Sequence, residues 1–226
     1  MSNHFNDTIE ALATPAGGAI AVIRLSGNQS IGITQRIFSR DLAEVKGGTL
    51  HYGEVKDEQG ATVDDVVVSV YRAPHSYTGE DCVEISCHGS RYIIQRILVL
   101  LQAQGARQAE PGEYTKRAYL NGKLDLSQAE AVADLIASTN AAQHKLAMSQ
   151  LKGGFSKELA KLRERLLKMT SLLELELDFS DHEDLEFADR SELNALAEEI
   201  DHRILSLAES FKAGKVLKSG IPVAIV

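Results

Sequence analysis

The hydrophobic period of this chain changes near residue 88, and that change constrains the fold more than any single motif. Upstream, short β-branched segments alternate between Gly, Pro, Asn and Asp punctuation. Downstream, apolar residues recur every three or four positions. A period of two builds sheets and a period near 3.6 builds helices, so the pattern predicts an α+β unit followed by an all-α unit. The chain has 226 residues, 44% of them hydrophobic and 25% charged, enough for a buried core in each unit without staples of disulfide or metal.

In the first half, Asp7 to Ala13 and Ala19 to Leu25 read as strands joined by the turn Pro15-Ala-Gly-Gly18. Asn28 is expected to cap a helix with Ile33, Ile37 and Phe38 inward. Leu50 to Val55 and Val63 to Tyr71 read as strands around Asp57-Glu-Gln-Gly60, and Val66 to Val70 as a buried run. Cys82 to Cys87 is a further strand. Gly89 to Gln104 reads as a helix, with Ile93, Ile94, Ile97, Leu98 and Leu101 on one face and Gly105 as the stop.

In the second half, Asp125 or Ser127 can cap a helix running to about Ser138, with Ser127 and Glu130 spaced as a capping box. A helical stretch from Asn140 to about Leu177 carries the seam Phe155, Leu159, Leu162, Leu166, Met169 and Leu173. Gly153-Gly154 is expected to break or bend it. An acidic connector from Asp178 to Glu186 follows, then a helix from Ser191 to about Lys212. Ile221 to Val226 reads as a buried strand that needs partners of its own.

The formal net charge of -8 argues against a global electrostatic grip on nucleic acid, although a local basic patch stays open. Cys82 and Cys87 fall on opposite faces of one strand, which disfavours a mutual disulfide and fits a reducing compartment. The opening fifteen residues lack the basic and apolar regions of a signal peptide, and no apolar run approaches the roughly 20 residues of a membrane span. A cytoplasmic setting is expected.

Several polar residues have two readings. Arg24 either makes a surface ion pair at a strand end or grips oxygens in a pocket. Glu84, between Val83 and Ile85, faces away from the apolar side; it is either solvated or accepts the paired donors of a ligand edge. Ser76-Tyr-Thr-Gly-Glu-Asp81 either caps its own turn or lines a site. Pro111 to Ile136 crowds Glu113, Arg117, Lys123 and Asp125 around few apolar positions, more polar groups than a core needs. His88 lacks a second His or Cys at ligand spacing, so no metal site is expected. The acidic connector lacks the glycine and spacing of a calcium loop.

Gly17-Gly-Ala-Ile-Ala-Val-Ile-Arg-Leu-Ser-Gly27, Ser76-Tyr-Thr-Gly-Glu-Asp-Cys-Val-Glu84, His88-Gly89 and Pro111 to Ala131 together resemble the tRNA modification GTPase MnmE (TrmE) family. The resemblance runs in order from about Asp7 to Val226. It implies an N-terminal domain over 1–121, similar in fold to the tetrahydrofolate domain of aminomethyltransferases, that binds folate and dimerises. It implies the first part of a helical domain over 122–217, and over 218–226 the first strand of a Ras-like α/β G domain, after which the family carries its Walker A loop. By the same resemblance Arg24, Glu84 and Lys123 contact a formyl- or methylene-tetrahydrofolate, with Arg117 and Glu113 as pocket neighbours, and the three contacts are expected to converge on one cavity.

The family activity is GTP hydrolysis in modification of C5 of the wobble uridine of tRNA, with GTP, Mg2+ and K+ used by the full-length protein. A flavin-dependent partner, MnmG, supplies redox chemistry with FAD and NADH. No catalytic residue is expected within the 226 residues, which as they stand are expected neither to bind nor to hydrolyse GTP. A self-contained one-carbon transferase and a purely structural dimerisation scaffold are the other readings. The sequence downstream of Val226 separates them, since a Gly-rich loop ending in Gly-Lys-Ser or Gly-Lys-Thr belongs only to the first.

Overall fold

The computed structural model describes residues 6–179 and 190–219. The chain forms two compact units, 1–125 and 126–226. The expected strand in 221–226 and most of the acidic connector lie outside the described residues.

The first unit is a six-stranded mixed sheet with helices. Its elements are β1 (Ile9–Leu12), β2 (Ile20–Ser26), α1 (Ser30–Gln35), β3 (Thr49–Lys56), β4 (Thr62–Tyr71), β5 (Cys82–His88), α2 (Arg91–Ala103), β6 (Arg107–Gln108) and α3 (Glu113–Leu120). The sheet order is β3-β4-β5-β2-β1-β6. Adjacent pairs are antiparallel except β1 with the two-residue β6, which run parallel.

Alternation divides β2 and β5 between two faces. Ala21, Ile23 and Leu25 lie opposite Cys87, Ile85 and Val83 and are buried with Val66, Val68 and Val70. The buried face of α2, with Ile94, Ile97, Leu100 and Leu101, completes this core. The other face carries Val22, Arg24 and Ser26 opposite Ser86, Glu84 and Cys82. Cys82 and Cys87 are both free thiols and both buried, one on each face.

Two expectations are corrected at α1. Its N-cap is Gln29 rather than Asn28, without a side-chain capping bond, and Ile37 and Phe38 lie beyond the helix although both are buried in the core. Gly105, at φ 104, ends α2 as expected, because the left-handed backbone there suits a residue without a Cβ.

The second unit contains α4 (Leu126–Ala137), α5 (Ala141–Leu151), α6 (Gly154–Phe179) and α7 (Arg190–Ser219). Asn140 caps α5 by accepting from the Gln143 amide, 2.9 Å away. The helical stretch breaks at Gly153, φ 74, as the Gly-Gly pair predicts. Ser127 lies inside α4 rather than at its cap. Along the leucine seam of α6 only Leu162 is buried, facing a unit in which Ile200 of α7 is also buried. Among the described residues no helix is long and apolar enough to cross a membrane.

Candidate functional site

Arg24 lies within β2, two residues before its end, and not at a strand end as its sequence position implied. It faces Glu84 directly across the β2–β5 ladder. Its Nε and Nη2 both donate to one oxygen, Glu84 Oε1, at 2.8 and 2.6 Å. Neither side chain is sealed: 28% of Arg24 and 23% of Glu84 remain accessible. Arg24 Nη1 and Glu84 Oε2 make no hydrogen bond among the described residues. Each group thus keeps hydrogen-bonding capacity that the other does not use. Burial would lower the Arg24 pKa, but the hydrogen bond to Glu84 and the attraction of its charge together outweigh it and raise the guanidinium above its ordinary value.

Two tyrosines frame this pair. The Arg24 guanidinium carbon lies 5.5 Å from the Tyr77 ring centroid and 5.7 Å from that of Tyr114, within cation–π range. The Tyr114 hydroxyl donates to the Arg24 carbonyl at 2.6 Å. Burial raises the Tyr114 phenol pKa well above its usual range. Tyr77 stands on the loop 74–81, and its hydroxyl meets Thr115 Oγ1 of α3 at 2.9 Å. The Cys82 thiol beneath is pushed up to about 12 by burial, so it remains protonated and inert.

Lys123 reaches the same loop from the turn after α3. Its Nζ donates to the Pro74 carbonyl at 3.0 Å. Gly79 is so close that a Cβ there would meet Lys123 Cγ at 3.2 Å. Asn121 Nδ2 donates to the Thr78 carbonyl at 2.8 Å. The structure therefore brings Arg24 and Glu84 into direct contact and joins Lys123 to them through the loop. Among the described residues, Lys123 makes no hydrogen bond to either partner.

Arg117 and Glu113, expected as pocket neighbours, serve a buried ionic brace. Arg117 is fully buried and bonds Asp7 Oδ1 at 2.7 Å, Glu113 Oε1 at 3.0 Å and Glu80 Oε2 at 3.3 Å. Glu80 also accepts from Ser26 Oγ at 2.7 Å, and Ser26 Oγ meets Thr78 Oγ1 at 2.7 Å. Arg107 adds a second clamp on Asp7 and Glu113, at 2.7 and 2.6 Å. Desolvation would raise the Glu113 carboxyl, but hydrogen bonds from Arg107, the Glu110 amide and Arg117 lower it to about 2. The brace ties the segment just before β1 to β2, α3 and the loop 74–81.

Sequence reading did not single out Tyr77 or Tyr114 as site residues. Both lie within segments conspicuous for their polar density, but the signal for an aromatic frame is tertiary. A groove of about 660 Å3 between α6 and α7 is lined by Glu158, Lys161, Arg165, Glu199 and Arg203 among others. Its charges pair with one another: Arg165 with Glu199 at 2.8 Å, and Glu158 with Lys161 at 3.3 Å and with Arg203. Among the described residues no cluster of three or more His, Cys, Asp or Glu could hold a metal ion.

Residues 8–123 match the family model described as GTP-binding protein TrmE N-terminus, and residues 126–222 match the MnmE helical domain. The chain is 59% identical over 225 residues to the tRNA modification GTPase MnmE of Parabacteroides distasonis, covering 97% of this chain and 49% of that protein. It is 59% identical to the protein of that name from Bacteroides fragilis, covering 97% and 48%. For Flavobacterium johnsoniae the identity is 57%, with 97% and 48% covered. The chain spans about half the length of these curated relatives.

Proposed function

Because the chain belongs to the tRNA modification GTPase MnmE family, we propose that its N-terminal unit binds a tetrahydrofolate derivative at the Arg24–Glu84 pair. The observation that carries this reading is the partly accessible Arg24–Glu84 pair, in which Arg24 Nη1 and Glu84 Oε2 make no hydrogen bond among the described residues. A pterin presents adjacent N–H donors next to a carbonyl oxygen. A carboxylate accepts the donors and a guanidinium supplies the carbonyl's partner. Lys123 serves the site from the loop side, either by holding the loop through Pro74 or by turning its ammonium to the folate tail. Arg117 and Glu113 hold the frame and do not touch the ligand.

In the full-length protein this unit delivers a one-carbon unit, as formyl- or methylene-tetrahydrofolate, for modification of C5 of the wobble uridine of tRNA. GTP hydrolysis, with Mg2+ and K+, belongs to the full-length enzyme, as does work with the FAD-dependent partner MnmG in the cytoplasm. The N-terminal unit also forms a homodimer.

The test is calorimetric titration of 5-formyl-tetrahydrofolate into the wild-type chain and Glu84→Ala, with melting curves as a folding control. Removing one partner of a charged recognition pair costs about 1.4 kcal/mol or more, so affinity should fall at least about tenfold. The fold should survive, because Glu84 faces away from the apolar core. Equal affinity in the two proteins would make the assignment wrong.

A further inference from the structure

We propose that Tyr77 is a ligand-binding residue, whose ring forms the wall on which the flat pyrimidinone edge of a pterin stacks. This rests on the folate reading above and adds a residue to it. The Arg24 guanidinium and the Glu84 carboxylate share a hydrogen-bonded fork. A heterocycle that accepts from the Arg24 guanidinium and donates to Glu84 Oε2 lies against this pair. The Arg24 guanidinium carbon lies over the Tyr77 ring, 5.5 Å from its centroid, so the ring neighbours whatever binds at the pair. At 38% exposure it is also more open to solvent than Arg24 or Glu84, so an incoming ligand meets it at the mouth of the site.

The ring is held before any ligand arrives. The Tyr77 hydroxyl bonds Thr115, and its loop is pinned by Asn121 at Thr78, by Lys123 at Pro74 and by Ser76 Oγ donating to the Glu80 carbonyl at 2.5 Å. A pre-ordered aromatic wall gives stacking at little loss of freedom. The purely structural alternative is that Tyr77 only covers Arg24. The two differ in what they demand of the side chain. Covering needs bulk, whereas stacking needs a π face.

The experiment titrates 5-formyl-tetrahydrofolate into wild type, Tyr77→Phe, Tyr77→Leu and Tyr77→Trp. Tyr77→Phe should bind within about threefold of wild type, because the ring remains. Tyr77→Leu should bind about tenfold more weakly at unchanged melting temperature, the scale of a lost base–aromatic stack. The chain contains no tryptophan, so Tyr77→Trp introduces a sole indole reporter, whose emission should be quenched at saturation. Wild-type affinity in Tyr77→Leu, or unchanged indole emission at a saturation established by calorimetry, overturns the role of Tyr77 and leaves the folate reading standing. Failure of wild type to bind overturns both.

Discussion

Arg24 and Glu84, 60 residues apart in sequence, are directly opposed on neighbouring strands and share a single carboxylate oxygen. Cross-strand opposition places the two side chains on the same face, so the pair exists before any ligand binds. Each group nevertheless keeps hydrogen-bonding capacity for a further partner.

The pair should couple modestly in stability and strongly in binding. In a double-mutant cycle with Arg24→Ala and Glu84→Ala, the unfolding coupling should be about 1 kcal/mol or less, because both groups remain partly solvated. Folate binding should fall about tenfold or more in either single variant. Calorimetry and urea unfolding measure the two quantities separately. A large coupling in unfolding with unaltered binding would turn the pair into a structural strut.

Arg117 should behave in the opposite way. It is fully buried among the carboxylates of Asp7, Glu80 and Glu113. Arg117→Met leaves Glu80 as a buried charge without its cation, and such a loss costs about 3–5 kcal/mol. The urea midpoint of the N-terminal unit should drop accordingly. A change below about 1 kcal/mol would mean that the brace is dispensable.

Acid should weaken the same brace. The Glu113 carboxyl, 5% exposed, titrates near about 2 against an ordinary 4.5. A lowered carboxylate pKa gives stability that is complete above the unfolded value and is lost as pH falls through the folded one. Between pH 5 and 2 the unit should lose on the order of 3 kcal/mol from this group. Asp7, also lowered, acts in the same direction. Glu113→Gln should flatten the slope of melting temperature against pH in this window.

Glu10 provides a titration of opposite sign. It is buried on the core side of β1, its Oε1 accepts from Gln102 Nε2 at 2.7 Å, and its Oε2 finds no hydrogen-bond partner among the described residues. Burial raises its pKa. The charged form therefore destabilises the fold as pH rises through that raised value. Glu10→Gln should be the more stable protein at pH 8 by about 1 kcal/mol, with the gap closing toward pH 5. Melting curves at the two pH values check this, and a pH-independent gap would count against it.

Gly79 should resist replacement. Its φ of +79 is left-handed, and a Cβ would crowd Lys123 Cγ at 3.2 Å and Asn121 Cβ at 3.3 Å. Gly79→Ala should cost about 1–2 kcal/mol and weaken folate binding, since the displaced loop carries Tyr77. Unchanged affinity would separate the loop from the site.

Alternation alone made the faces of the site legible. Val83 and Ile85 point to the core, so Glu84 must point away, and the same reasoning holds for Arg24 between Ile23 and Leu25. That these two meet was not legible, because the register between strands so far apart in sequence is set by the pairing of the whole sheet. The polar density of Glu113 and Arg117 stood out, but its purpose did not. Their partners Asp7 and Glu80 come from other parts of the chain, so a buried brace and a ligand lining look alike in one dimension. The capping expectation for Asn28 failed because α1 starts one residue later than that cap requires, its entry set by the Gln29 and Ser30 amides bonding Thr8 and Gly27.

The Arg24–Glu84 pair is one rung of a ladder whose opposite side is the core. If β2 slipped by one residue against β5, Arg24 would be turned into the interior and Leu25 would take its place before the ligand. Misregistered molecules cannot therefore keep a sound core and a wrong site, or the reverse. Burial of Ile23, Leu25, Val83 and Ile85 acts as proofreading for recognition: whatever chain passes the packing test already presents the arginine and the carboxylate to each other.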